Sequence, residues 1–371
     1  MSREEQNTGM EEMEYKMIGK KRVWGWFLIP VAAMLLVGCA AGPAVKKVER
    51  YWPVPPDPPR ISYVRSLAEP TDMGRKRNWF LLTFRALLGG SPSPPMVRPF
   101  DVTVDDRGVL YVADTGLQAV HIYDLPRKNY HQIYWIERDR SRFLSPSGVA
   151  VDDDGKIYVS DSQLNRIFVF DPKRFRLVRT IGEEGQFLRL GGLSFNRKNK
   201  LLYAADAAGH RIDVFDKTGK LVRSFGKRGS GNGEFNFPSH VSTDRDGNIY
   251  VTDSMNFRVQ IFDENFNFIN KFGQLGSVLG TFSKPKGVAV DTEGHIYVVD
   301  GIYDTVQIFD IHGRLLMNFG TTGEEEGDFW LPNGIAIDSQ NLIYVADTYN
   351  HRIEVFKFLG SPTPEEAVKQ P

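Results

Sequence analysis

Six aspartates are the first residues in this chain that could do chemistry together. Asp114, Asp161, Asp206, Asp253, Asp300 and Asp347 each close a Tyr-x-x-Asp step, opened by Tyr111, Tyr158, Tyr203, Tyr250, Tyr297 and Tyr344. The aspartates follow one another at 47, 45, 47, 47 and 47 residues. A ring of carboxylates could hold a metal ion. A second chemistry is open to the same groups, because Arg166, Arg211, Arg258 and Arg352 each stand five residues beyond one of them. Asp161–Arg166, Asp206–Arg211, Asp253–Arg258 and Asp347–Arg352 are therefore expected to pair and fix a loop. A residue type present in every repeat is more readily structural than catalytic, so the pairing is the preferred reading. Units one and five carry Ala119 and Thr305 in place of the arginine, which leaves Asp114 and Asp300 without an assigned partner. Unit five also holds Tyr303 and Asp304 in that loop, which marks it as a candidate binding edge.

Other chemistries find little support. His240 stands alone beside Ser239, and His210 and His351 sit in short loops, so no zinc site with three ligands and an open position is visible. There is no Gly-x-Ser-x-Gly elbow for a nucleophile. The glycine-rich stretch from Gly226 to Gly233 precedes a strand, and the helix N-terminus that would hold a phosphate is missing. No cofactor and no metal are expected.

The elements that must position these residues follow from the repeat. A period near 47 residues means that each unit is one supersecondary element stacked on its neighbours. In unit two, Gly148 to Val151 reads as a strand, Asp152 to Gly155 as a turn, and Lys156 to Ser160 as a second strand. Arg166 to Phe170 and Leu177 to Ile181 supply the third and fourth. Between units runs a glycine-containing loop that ends with a Phe three residues before a Pro: Phe143 and Pro146, Phe235 and Pro238, Phe282 and Pro285, Phe329 and Pro332. Unit three has Phe187 and Leu190 instead. Six units of four short antiparallel strands predict an all-β, six-bladed propeller over residues 60–358. The sixth unit stops at Phe358 without a fourth strand. Ile61 to Leu67 resembles Leu221 to Phe225 and is expected to close the ring. The residues after the blade-opening positions, Ser147, Ser239, His240, Lys286 and Asn333, should then form a polar rim at one channel mouth. Residues 75–90 fit no unit. Phe80, Phe84, Leu87 and Leu88 share a helical face there, for packing on the propeller or for touching a membrane or partner.

The pattern Pro-x-Gly-Val-Ala-Val-Asp, Gly-x-Ile-Tyr-Val-x-Asp, Asn-x-Arg-Ile-x-Val-Phe resembles NHL repeats, most closely over Pro146–Phe170, Pro285–Phe309 and Pro332–Phe356. The resemblance implies the propeller fold. It implies function weakly, since NHL propellers include receptors, scaffolds, RNA binders and a few lyases. In the NHL lyase of peptide amidation, zinc-binding histidines directly follow the proline that opens a blade. The matching positions here are Phe100, Ser147, Gly191, Ser239, Lys286 and Asn333, and none is histidine.

The N-terminus points to export. Lys20, Lys21 and Arg22 precede an apolar run from Val23 to Gly38, and Leu36-Val37-Gly38-Cys39 resembles a bacterial lipobox. The expectation is a signal peptide over residues 1–38, with its true start at Met17, and lipidation of Cys39. A proline-rich tether would span 39–59 and a disordered tail 359–371. Ala40 after the cysteine favours an outer membrane in a host with two membranes. The chain has 46 basic and 46 acidic residues, which argues against a nucleic-acid partner that binds through a broad basic surface. The sequence thus suggests a monomeric, lipid-anchored, extracytoplasmic propeller that binds an envelope protein or polymer. The alternative is a lyase or hydrolase acting at the channel mouth.

Overall fold

The structure is a computed structural model that describes residues 49–74, 94–136 and 141–360. The expected signal peptide, Cys39, the 75–90 helix and nearly all of the C-terminal tail lie outside the described residues. Among those described, the strands form six antiparallel sheets, and the only helical turns are 3-10 turns at Pro70–Met73 and Ser254–Asn256. Five sheets have four strands in sequence order. They begin at Pro99–Val104, Pro146–Val151, Leu190–Asn196, Pro238–Thr243 and Pro285–Val290, which are the innermost strands of blades one to five.

The sixth blade starts at Pro332–Ile337 and continues through Leu342–Asp347 and Arg352–Phe358. Ile61–Leu67 then pairs antiparallel with Arg352–Phe358, Ile61 opposite Phe358 and Leu67 opposite Ile353. The two ends of the propeller thus share one sheet, which removes the free edge of that blade. The folded body also begins earlier than the expected tether allows. Tyr51–Trp52 adds a short outer strand against Ile61 and Ser62, and Trp52 packs on Phe319 and Phe356.

The core lies between blades, because each sheet is buried on both faces by its neighbours. Phe143, Phe235, Phe282 and Phe329 from the connecting loops are completely buried there. These phenylalanines also account for glycines in the same loops. A Cβ on Gly226, Gly273 or Gly320 would come within 2.4, 2.5 or 2.1 Å of the ring of Phe235, Phe282 or Phe329. All three glycines also hold positive φ, so no L side chain fits without strain.

Candidate functional site

The Tyr-x-x-Asp step fastens both ends of one strand. At its start the tyrosine hydroxyl donates to an aspartate in the preceding turn: Tyr158 to Asp152 at 3.0 Å, Tyr250 to Asp244 at 2.8 Å, Tyr297 to Asp291 at 3.0 Å and Tyr344 to Asp338 at 3.2 Å. Blade three has an asparagine turn, and there Asn199 Nδ2 donates to Tyr203. At the strand's end the buried aspartate accepts backbone N–H groups from the loop that enters the blade and from the loop that follows the strand. Asp161, for example, takes those of Leu144, Ser145, Gln163 and Leu164.

Three of the four expected arginine pairs are present: Arg211–Asp206 at 3.1 Å, Arg258–Asp253 at 2.8 Å and Arg352–Asp347 at 3.2 Å. Arg166 makes no ion pair with Asp161 among the described residues. Its carboxylate is satisfied by the four backbone N–H groups. The two aspartates without an arginine are also satisfied. Asp114 accepts four backbone N–H groups and lies 3.1 Å from His121 Nε2. Asp300 binds the N–H groups of Ser283, Lys284, Ile302 and Tyr303. Asp304 accepts from Thr322 Oγ1 and Leu331 N, so it ties blade five to the following loop. The blade-five loop therefore does not form a free acidic edge. Its Tyr303 ring is exposed.

The channel mouth has two layers, set by a bulge in each innermost strand. The outer layer is Phe100, Ser147, Gly191, Ser239, Lys286 and Asn333. The next residue of each strand forms a collar: Asp101, Gly148, Gly192, His240, Gly287 and Gly334. Four of the six are glycine because the strands nearly touch. A Cβ at Gly148 would lie 2.6 Å from the Gly191 carbonyl oxygen, and one at Gly287 would lie 2.6 Å from that of Asn333. Only Asp101 and His240 carry side chains in the collar, on blades one and four, which face each other across a six-bladed ring. Beneath the collar is a cavity of about 470 Å³ whose wall includes Asp101, His240, Val149, Ser194, Ser242 and Ile335.

The two collar residues are buried and Lys286 is half-buried, and all three are ionisable groups with little compensation. Asp101 accepts the Val149 N–H at 3.0 Å, and burial pushes its carboxyl up to about 7. His240 Nδ1 lies 3.1 Å from Ser239 Oγ, while Nε2 is buried without a partner. Burial, reinforced by the Lys286 charge, drives the imidazole down to about 3, so it is neutral at pH 7. Burial, with Lys284 and Arg189 nearby, pushes the Lys286 ammonium down to about 8. Asn333 Oδ1 is also buried without a partner. Ser147 Oγ donates to the Leu190 carbonyl at 3.2 Å and so joins blades two and three. Of the expected rim, the structure places Ser239, His240, Lys286 and Asn333 on three successive blades, and Asp300, Tyr303 and Asp304 in a separate loop. Sequence reasoning missed Asp101. The signal was available, since Asp101 breaks the Pro-x-Gly pattern of its repeat.

Among the described residues one group of three carboxylates could meet a cation, Asp152, Asp153 and Asp154 on the turn face. Lys217 Nζ already lies 2.6 Å from Asp153 and 2.5 Å from Asp154. The opposite, loop face carries exposed apolar side chains at equivalent places in successive blades. Val97, Leu144, Leu188, Phe237, Trp330 and Leu331 precede the innermost strands, and Met255, Ile302 and Tyr349 follow the fastening aspartates. Leu188 is 59% exposed, Ile302 50% and Trp330 43%, and Trp330 packs on Tyr349 at 5.8 Å.

Fold and site together define an NHL-repeat six-bladed β-propeller. The NHL repeat pattern matches residues 143–170 and 329–356, and a second pattern, described as a 6-bladed beta-propeller, matches 196–271. No curated protein matches the chain. Among solved structures, it is similar to hydrazine synthase of Kuenenia stuttgartiensis, with 14% identity and a TM-score of 0.52 over 72% of this chain and 97% of that one. Virginiamycin B lyase from Staphylococcus aureus has 11% identity and a TM-score of 0.51, covering 71% and 96%. An auxiliary nutrient binding protein from Bacteroides thetaiotaomicron has 14% identity and a TM-score of 0.55, covering 70% and 69%. Likeness at these identities shows the fold alone.

Proposed function

We propose that the chain is a protein-binding module of the bacterial cell envelope, anchored through a lipid on Cys39, with the loop face as its docking surface. The observation that supports this most is the ring of exposed apolar side chains on that face. An apolar patch of this kind, rimmed by charge, suits a protein interface better than open solvent. The stretch from Cys39 to Arg50 would tether the folded body to the membrane. In-cell crosslinking and affinity capture of the full-length protein, compared with a Leu188→Ser, Trp330→Ser, Tyr349→Ser variant, tests the reading. A specific envelope partner should be captured by the parent and lost from the variant. Equal capture by both would refute docking through this face.

A second reading, a lyase or hydrolase working from the channel, draws on one observation: Asp101 and His240 share the wall of one cavity. Activity abolished by His240→Ala in protein that still captures its partner would favour it.

A further inference from the structure

The cations around the channel mouth are arranged without anions to balance them. Arg98, Arg189 and Lys284 each stand immediately before the innermost strand, on alternate blades one, three and five. Arg98 lies over the Tyr349 ring and donates to its hydroxyl. Arg189, Lys284 and Lys286 make no side-chain ion pair among the described residues. The carboxylates nearest them in the chain are engaged elsewhere: Asp300 accepts the Ser283 and Lys284 N–H groups, and Asp206 accepts those of Leu188 and Arg189. Lys286 feels the charges of Lys284 and Arg189 and acts in turn on His240, so its ammonium stands within electrostatic reach of blades three, four and five.

We propose that this sector of the mouth is an oxyanion site, in which Lys286, flanked by Lys284 and Arg189, binds the carboxylate or phosphate group of a small ligand seated against His240 and Asn333. Three features make it a built site. Lys286 is half-buried with no acid paired to it, and the exposed Lys284 and Arg189 add like charge around it, a field that favours an anion there. Two buried polar atoms, His240 Nε2 and Asn333 Oδ1, point to unmet hydrogen bonds beside it. The neutral imidazole adds no further charge and can take either tautomer through Ser239. The charged and titratable groups within electrostatic reach of Lys286 are Lys284 from its own blade, Arg189 from the start of blade three and His240 from blade four. Asp101 stands in the collar on the far side of the ring. The site needs no protein partner, although it lies at the channel mouth of the same loop face as the apolar docking surface, with Arg189 next in the chain to Leu188.

Calorimetric titration of the full chain in detergent, at constant ionic strength in chloride, provides the test. One arm uses inorganic phosphate and the other acetate, and the tighter of the two identifies the group. At pH 7, Lys286→Gln should weaken that anion about ten-fold or more, the loss expected for one charge-assisted hydrogen bond. Lys286→Arg should retain it, and Lys217→Gln on the turn face should leave it unchanged. Affinity of the parent should fall as pH rises through about 8, where the ammonium loses its proton. Without anion, Lys286→Met should melt no lower than the parent, because it removes an unpaired, half-buried charge. Neither anion binding in preference to chloride, or equal affinity in parent and Lys286→Gln, would overturn the proposal. Should Lys286→Gln fail to fold, parent affinity that stays constant from pH 7 to pH 9 would overturn it as well.

Discussion

The two faces of the propeller use charge in opposite ways. On the turn face the ion pairs between blades lie in water: Lys217 with Asp153 and Asp154, Lys200 with Asp153, Lys198 with Glu264. On the loop face the carboxylates are buried as fasteners, and several cations have no acid beside them. Apolar rings stand exposed between those cations. The turn face therefore has its interactions completed within the chain. The loop face has fastened backbone but unfinished side chains, and unfinished side chains are what a ligand or partner completes.

The comparison breaks most easily at a loop-face fastener. Asp253 accepts the Asn236 N–H and bonds Asn256, Arg258 and Gln260. The Arg258 side chain is only 8% exposed. Asp253→Ala leaves that guanidinium buried without its carboxylate, at an expected cost of about 3–5 kcal/mol. Urea denaturation measures it directly. A loss below about 1 kcal/mol would place the loop-face aspartates with the exposed turn-face pairs and erase the contrast.

How far this was legible varies with what kind of physics carries each residue. The blades, their strand order and the closing strand follow from a period and an alternation that any local window displays. The arginine partners were legible at Asp206, Asp253 and Asp347, because strand geometry places residue five beyond the aspartate on the neighbouring strand. Arg166 occupies the same position and makes no ion pair with Asp161 among the described residues, and the loop backbone that satisfies Asp161 instead is invisible in side-chain spacing. His121 at Asp114 escaped for a related reason. It lies seven residues on, in the middle of the next strand, where only register brings it across. The collar was hardest, because Asp101 and His240 are 139 positions apart in the sequence and meet one cavity only when the ring closes.

Asp101 sharpens the comparison from the channel side. An unfinished site should hold groups whose charge the fold does not favour. Asp101 is raised from its ordinary 3.8 to about 7, so between those values the folded protein keeps a proton that the unfolded chain releases. Its contribution to stability therefore falls as pH rises from about 4 to 7 and is level above that. Asp101→Asn has no such titration. The stability of the variant relative to the parent should grow across this window, by up to about 4 kcal/mol at pH 8. Asp347 and Glu354 are also raised, to about 6 and 7, but they titrate in both proteins and cancel in the difference. Melting curves at pH 4.5 and pH 8 provide the check. A difference that does not change with pH would mean that the Asp101 carboxylate is compensated, like those of the turn face.

The smallest effect belongs to the turn face. Tyr250 donates to Asp244 at 2.8 Å, and the same carboxylate oxygen accepts from Asn248 Nδ2 at 2.7 Å. Tyr250→Phe removes one bond and leaves its acceptor satisfied, while the ring keeps its place in the core. The expected cost is about 1 kcal/mol, the usual net value of such a bond, and a fall in melting temperature of about 2–4 °C. Lys217→Ala should cost less still, about 0–1 kcal/mol, because its partners are open to water. If both variants lost as much as Asp253→Ala, the turn face would be as dependent on buried charge as the loop face. Small losses at Tyr250 and Lys217 beside a large one at Asp253 would confine the strongly held charges to the face that also carries the open mouth.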